Sequence, residues 1–307
     1  MLAYAIKRFL GAWPTLFVII TVAFFMMRAV PGGPFSSEKP VPPAVRANLE
    51  RMYHLDEPLY MQYARYLGDV FTGNLGPSFK YEDHTVNDLI ASGFPVSARL
   101  GGLAMALALL LGVAAGATAA LRQNAWLDHA VMALAMTGIS IPNFVMGPLL
   151  ILVFAILLHW LPAGGWDNGA TVNMVLPVIS LALPYVAYIA RLTRGSMIEV
   201  LRSDYIRTAR AKGLPARTVI LRHALRPAML PVISFLGPAI AGILTGSVVI
   251  EEIFGIPGIG RYFVQGALNR DYTLVMGVVI FYGALIILLN LLVDLLYAML
   301  DPRVRYT

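Results

Sequence analysis

Uncharged, predominantly apolar runs recur six times along the chain: Phe9 to Met27, Leu100 to Leu121, Ala130 to Leu158, Met174 to Ala190, Ala228 to Ile250 and Tyr272 to Val293. None contains an Asp, Glu, Lys, Arg or His. A helix rises about 1.5 Å per residue, so about 20 residues cross the roughly 30 Å hydrocarbon core of a bilayer. The pattern therefore predicts an all-α integral membrane protein with six transmembrane helices. The first run follows Lys7-Arg8 but is too long for a signal-peptide core and precedes no small-residue cleavage site, so it reads as a retained span. Pro142, Pro148 and Pro184 lie inside runs, where proline breaks the hydrogen-bond ladder and frees carbonyls toward water.

Composition strengthens this picture. Of 307 residues, 58% are hydrophobic and 13% charged, against roughly 45–50% and about 25% in soluble domains. A soluble enzyme is excluded. The absence of cysteine removes disulfides, thiolate nucleophiles and Cys-ligated metals. The net charge of +6 matters less than its placement. If the N-terminus is inside, the inner segments hold Lys7, Arg8, Arg122, nine basic residues between Arg191 and Arg226, Arg303 and Arg305, whereas the short outer loops hold only Arg261 and Arg270. Basic residues flanking spans stay on the cytoplasmic side, so both termini are expected there.

Two connecting segments are long. From Gly32 to Pro95 eight acids meet five basic residues, with a Pro31-Gly32-Gly33-Pro34 turn and a helix expected over Pro43 to His54. This reads as a small extracytoplasmic region. From Arg191 to Arg226 nine Lys/Arg face only Glu199 and Asp204, a net +7, with helical spacing interrupted at Gly213-Leu214-Pro215. This reads as a basic cytoplasmic helix-turn-helix.

Chemistry within the chain is sparse. No G-x-x-x-x-G-K-[ST] loop is present to cradle a nucleotide phosphate. His54, His84, His129, His159 and His223 all fall in loops or at span ends, which leaves no base for intramembrane hydrolysis, and no metal-ligand spacing recurs inside a span. A proton- or ion-coupled carrier would bury ionisable groups near the midplane. The nearest, Asp294, lies close to the cytoplasmic end of its span, where interfacial solvation or pairing with Arg303 accounts for it. The driving energy must come from another chain.

The basic segment has a plain reading as a retention signal or lipid-headgroup patch. Neither requires the run Asp204-Tyr205-Ile206-Arg207-Thr208-Ala209-Arg210-Ala211-Lys212-Gly213-Leu214. Its small residues at 209, 211 and 213 would leave a low surface around a sharp turn, suited to close approach by a partner.

That run, continued by Leu221-Arg222-His223-Ala224-Leu225, Pro227 and Pro231, resembles the "EAA" cytoplasmic loop of ABC-importer permease subunits. Arg207-Thr208-Ala209 takes the E-A-A positions and Gly213 the distal glycine; Arg207 replaces the family's Glu, so no salt bridge of that Glu carries over. His54-Leu55-Asp56-Glu57-Pro58, Gln62-Tyr63, Gly73-Asn74-Leu75-Gly76-Pro77-Ser78 and Phe254-Gly255-Ile256-Pro257-Gly258-Ile259-Gly260 resemble the dipeptide/oligopeptide branch. The resemblance implies a type I importer permease fold in the bacterial inner membrane. It divides the chain into a first span (1–30), an extracytoplasmic region (31–93), a transport domain (94–300) with a coupling loop at 191–227, and a short tail (301–307).

It further implies a subunit that is not itself an enzyme and pairs with a homologous second permease, two ATP-binding subunits, a periplasmic oligopeptide-binding protein, peptide and membrane lipids, with no nucleic acid. ATP and Mg would be bound by the ATPase partners, with no cofactor in this chain. Docking to them is expected of Asp204, Tyr205, Arg207, Ala209, Ala211, Gly213, Leu214, Arg222 and His223. Ser140, Asn143, Ser180, Ser234, Thr245, Ser247 and Asn290 are the polar candidates for lining the path, with interhelical hydrogen bonding as the alternative role. Ile256, Pro257 and Gly258 are candidates for contacting the binding protein, with a tight interfacial turn as the alternative. Two other functions compete: the same architecture serving dipeptides, nickel chelates, glutathione or antimicrobial peptides, and an ATPase-independent channel.

Overall fold

Long apolar helices dominate the computed structural model, which describes the backbone of residues 2–30 and 43–300 and their side chains except at 2–10, 43–46, 49 and 294–300. In chain order the helices are α1 (Leu2–Ala29), α2 (Pro43–Met52), α3 (Leu59–Phe71), α4 (Val86–Leu121), α5 (Trp126–Ser140), α6 (Asn143–Leu150), α7 (Thr171–Leu201), α8 (Asp204–Ala211), α9 (Ala216–Thr218), α10 (Leu225–Ala228), α11 (Leu230–Phe254), α12 (Ile259–Leu268) and α13 (Tyr272–Leu300). Wider π-helical turns continue α6 over Ile151–Leu157 and join α9 to α10 over Val219–Ala224. Among the described residues five helices are long and apolar enough to cross a membrane, and α5 with α6 makes a sixth span if the bent pair counts as one. Leu110, Leu134, Phe144 and Trp160 stand exposed, as lipid-facing or partner-facing side chains would. Arg303, the partner suggested above for Asp294, lies outside the described residues.

The third expected span is not one continuous helix. α5 and the helix through Leu157 meet at 105°. Pro142 has no N–H to continue the ladder, and a residue before proline is pushed out of helical geometry. Ile141 (φ −94, ψ 118) and Pro142 (φ −60, ψ 145) are accordingly extended. α4 and α7 also outrun the apolar stretches that signal them. α7 has 31 residues, about 46 Å at the helical rise, so it projects well beyond a bilayer core. The expected helix over Pro43 to His54 ends at Met52, and His54 adopts φ 55.

The chain forms two compact units. One comprises Val96–Ile256 with the segment from Leu288, the other Leu2–Pro95 with Pro257–Ile287. In the first, Leu100, Ala104 and Ala108 of α4, Leu181 and Ile189 of α7, and Val232, Ile243 and Phe254 of α11 share one buried core. Lipid tails are as apolar as these side chains, so association depends on close packing, and glycine permits it. A β-carbon at Gly112 would lie 2.9 Å from the Val186 carbonyl oxygen. One at Gly116 would meet the Ala190 carbonyl oxygen and lie 2.7 Å from Thr193 Cβ and 3.0 Å from the Arg194 nitrogen. Here the backbone of α4 approaches α7 closely, against the Ile189 side chain at Gly112 and the α7 backbone at Gly116.

In the second unit Phe24 of α1 packs against Tyr63 and Tyr66 of α3, with ring centroids 5.3 and 5.5 Å apart. Thr21 Oγ1 and Tyr63 OH share a 2.6 Å hydrogen bond. The fully buried Asp271 precedes α13, accepting from the Leu274 N–H at 3.1 Å, the Thr273 hydroxyl at 3.0 Å, the Phe79 N–H at 3.1 Å and the Ser78 hydroxyl. One carboxylate thus caps a helix and anchors a loop nearly two hundred residues away in sequence.

Gly116→Ala is expected to destabilise the chain by about 1–3 kcal/mol, because backbone rather than a flexible side chain stands in the way. Gly102→Ala, which would meet nothing within 4 Å, is the control. Thermal unfolding in detergent checks this, and equal midpoints for the two variants would contradict the close crossing.

Candidate functional site

α7 leads into the basic segment. It ends at Leu201, Ser203 turns extended (φ −69, ψ 154), and α8 starts at Asp204. Asp204 sits in the first turn, where a carboxylate complements the helix dipole. Its 3.2 Å contact with Arg207 is almost fully solvated and contributes little. α8 closes on Gly213, whose φ of +77 belongs to the left-handed region that favours glycine. The Gly213 N–H donates to the Arg210 carbonyl at 2.9 Å and the Leu214 N–H to Ala209 at 3.3 Å. Pro215 then starts the next helix, with the Thr218 and Val219 N–H groups donating to its carbonyl. The interruption expected at Gly213-Leu214-Pro215 is the turn observed.

This element has its own small core. Ile206 and Ala209 pack with Val219, Ala224 and Ala228 against Met197 of α7 and Ala120 of α4. Ala209 therefore faces inward, and its small side chain serves the fit of α8 onto its support instead of leaving a low outer surface. Asp204, Tyr205, Arg207, Ala211, Gly213, Leu214 and Arg222 are exposed, and His223 is half-buried. A depression of about 250 Å³ opens among Leu121, Arg210, Leu214, Ala216, Val219 and Ile220. The outer face combines cations with a few apolar side chains, as a protein-docking surface does.

A strong ionic contact lies at the base of this element. Asp128, in the first turn of α5, is fully buried. Its carboxylate accepts from Arg194 Nε at 2.6 Å and Nη2 at 2.7 Å, and from the Asn124 N–H at 2.9 Å. Such a bidentate pair fixes angle as well as distance. The apolar pattern does not signal this pair, because Asp128 lies just outside the third apolar run. The available signal was a carboxylate and an arginine flanking two different spans.

The path candidates divide. Ser140, Ser234, Thr245 and Asn290 are exposed; the first three hydroxyls donate to carbonyls four residues back in their own helices. Asn143 begins α6 at the bend, and its Oδ1 is buried without a hydrogen-bond partner among the described residues. Ser180 and Ser247 are fully buried and do not face an open path in this structure. Ser247 donates to the Leu244 carbonyl at 2.8 Å, whereas Ser180 Oγ has no partner among the described residues. Both lie on the packed faces of α7 and α11. In the outer turn Ile256 has no exposed surface and belongs to the buried core of its unit, because Gly255 (φ 66) ends α11 and turns it inward. It is not available as an outward contact. Gly258 is buried and Pro257 half-buried. Among the described residues no three His, Asp or Glu side chains gather to hold a metal ion.

Residues 108–306 match the family described as "Binding-protein-dependent transport system inner membrane component", and residues 1–101 match the corresponding N-terminal family. The chain is 60% identical over 306 residues to the oligopeptide transport system permease protein OppB of Escherichia coli (strain K12), covering 100% of both. It is 50% identical over 305 residues to the dipeptide transport system permease protein DppB of Bacillus subtilis (strain 168), covering 99% of this chain and 98% of that one. A solved structure titled "Crystal structure of an amino acid ABC transporter with histidines" aligns with 71% of this chain and 95% of its own, at 18% identity and a TM-score of 0.48.

The turn geometry gives a direct expectation. Gly213→Val forces a β-branched residue into left-handed geometry at about 1–2 kcal/mol, while Gly213→Asn tolerates it. Limited trypsin digestion of the detergent-solubilised chain should cut faster at Arg210 and Lys212 in the Val variant only. Equal rates in both variants would contradict the turn.

Proposed function

The chain belongs to the binding-protein-dependent transport system inner membrane components, the membrane subunits of ABC transporters, and from that membership we propose that it is one permease half of an ATP-driven oligopeptide importer. Six spans in a type I permease fold, with both termini cytoplasmic, agree with five long helices plus one bent pair and with the placement of Lys and Arg. In this reading it pairs with a homologous permease above two ATP-binding subunits, and a binding protein delivers peptide from outside. ATP and Mg belong to those partners.

One observation carries the reading: an exposed basic element, α8 with its Gly213 turn and the helix that follows, is seated by its own core on the end of a continuous α7. When the ATP-binding subunits close, they displace α8, and α7 carries the displacement into the membrane as a lever. The permease supplies geometry and the ATPase supplies energy. Peptide cargo requires a path that hydrates amides without holding them, since a strong site would trap its occupant. Ser140 and Asn143 at the bend, with Ser234, Thr245 and Asn290, are the polar side chains available for it, while Ser180 and Ser247 pack helices together.

The 50% identity to a dipeptide permease protein supports a second reading, the same machinery with a shorter cargo. In both readings the binding protein makes most of the selection. A channel needing no ATPase leaves the α8 element without a role.

Ala211→Trp tests docking without straining the backbone, because Ala211 is the exposed last residue of α8. In the reconstituted four-subunit assembly with its binding protein, this variant should assemble normally and lose about ten-fold or more of ATP-dependent peptide uptake. Normal uptake would contradict docking at α8.

A further inference from the structure

Building on that reading, we infer that Asp128 and Arg194 form a transmission joint that makes the broken span, α5 with α6, follow the docked element. They are positioning residues, acting through the helices they tie.

Four observations support the joint, all within one compact unit. Arg194 lies seven residues before the end of α7, about 10 Å along the helix from the turn that leads into α8. The carboxylate that receives both its nitrogens belongs to the first turn of α5 and also holds the Asn124 N–H of the turn between α4 and α5. A second, exposed tie, from Arg202 Nη2 to Gln123 Oε1 at 3.2 Å, joins the same turn to the residue that caps α7. At its far end α5 touches α7 again, where a β-carbon on Gly138 would lie 3.0 Å from the Leu183 carbonyl oxygen. Two residues later comes Ser140, and then the 105° bend at Ile141-Pro142. α5 is therefore fixed to α7 at both ends, and the nearest unladdered backbone is the bend.

The chemistry argues for more than adhesion. Apolar residues of similar volume often replace a buried ion pair with no loss of stability, because desolvation offsets the attraction. What apolar packing lacks is a fixed angle and register, which a two-pronged guanidinium–carboxylate contact supplies. Energetic coupling between sites requires an element with two arrangements that both sites bias. The bend is that element: the ladder runs up to the Ile141 N–H, which donates to the Thr137 carbonyl at 3.2 Å, and resumes at the Pro142 carbonyl, which accepts from Val145 and Met146, so the break is confined to the proline between them.

The test uses the full assembly in proteoliposomes, with Phe144→Cys, an exposed position just past the bend, as the one thiol introduced into this cysteine-free chain. In the otherwise native assembly the rate of labelling by a charged, water-soluble maleimide should differ between nucleotide-free and ATP-trapped states. Arg194→Met should abolish that difference and cut peptide uptake per ATP hydrolysed by about ten-fold, while ATP hydrolysis continues. Arg194→Lys keeps charge without the fork and should fall between. A paired Asp128→Cys/Arg194→Cys variant should be uncoupled as thiols and recover coupling when a short bifunctional reagent ties them; this arm replaces Arg194→Met if that variant does not assemble. Coupled uptake and nucleotide-dependent labelling retained in Arg194→Met, coupling not recovered in the tied pair, or no labelling change in a native assembly that transports would each overturn the joint. Absence of ATP-dependent uptake in the native assembly would instead overturn the importer reading.

Discussion

Direct contact between the backbones of α4 and α7 at Gly112 and Gly116 is the constraint on which the rest of the larger unit depends. With no side chain on α4 at these two positions, the backbone of α4 lies against Ile189 and the Val186 and Ala190 carbonyls of α7, and the helices cannot slide without a clash. α7 then extends past the apolar region and leads into α8, so the basic element rests on a helix that is itself closely packed against α4. Ala120 at the end of α4 and Met197 of α7 both enter the core beneath α8, giving the element two supports.

This arrangement separates stiffness from compliance. The stiff parts are the glycine crossing, the Asp128–Arg194 pair and the small core under α8. The compliant part is the Ile141-Pro142 bend, where proline removes a donor and two residues leave helical geometry. A membrane tolerates unladdered backbone only where it is covered by protein or faces water. The exposed Ser140 and Pro142 therefore mark a site that must meet either a partner subunit or the aqueous path.

Much of this was legible in the sequence because membrane burial writes itself as uncharged length. The apolar runs, the Gly213-Leu214-Pro215 turn and the helix-breaking role of Pro142 are all local properties: five runs fall in long helices, one in the bent α5–α6 pair, and the turn and break lie where the pattern placed them, whereas Pro148 and Pro184 lie within helices they do not end. What local pattern does not contain is direction. Ala209 and Ala211 look alike in the chain, yet one closes the core under α8 and the other faces out. Ser180 and Ser247 are as polar as Ser140 but sit on packed faces of α7 and α11. Ile256 lies in a Gly/Pro turn that suggested an outward contact, and the left-handed Gly255 turns it into the core. Asp128 and Arg194 are sixty-six residues apart, and only the packing of α5 on α7 pairs them.

In the proposed mechanism α5, α7 and α8 move as one body when the partner ATPases act. The chain has no native cysteine, so paired spin labels at Ala130 of α5 and Ala211 of α8, both exposed, can report their separation in the assembled transporter. Electron–electron resonance should give the same distance distribution in the nucleotide-free and ATP-trapped states. A shift of about 5 Å or more, one helical turn, would show that α8 moves without α5 and rule out a single rigid body.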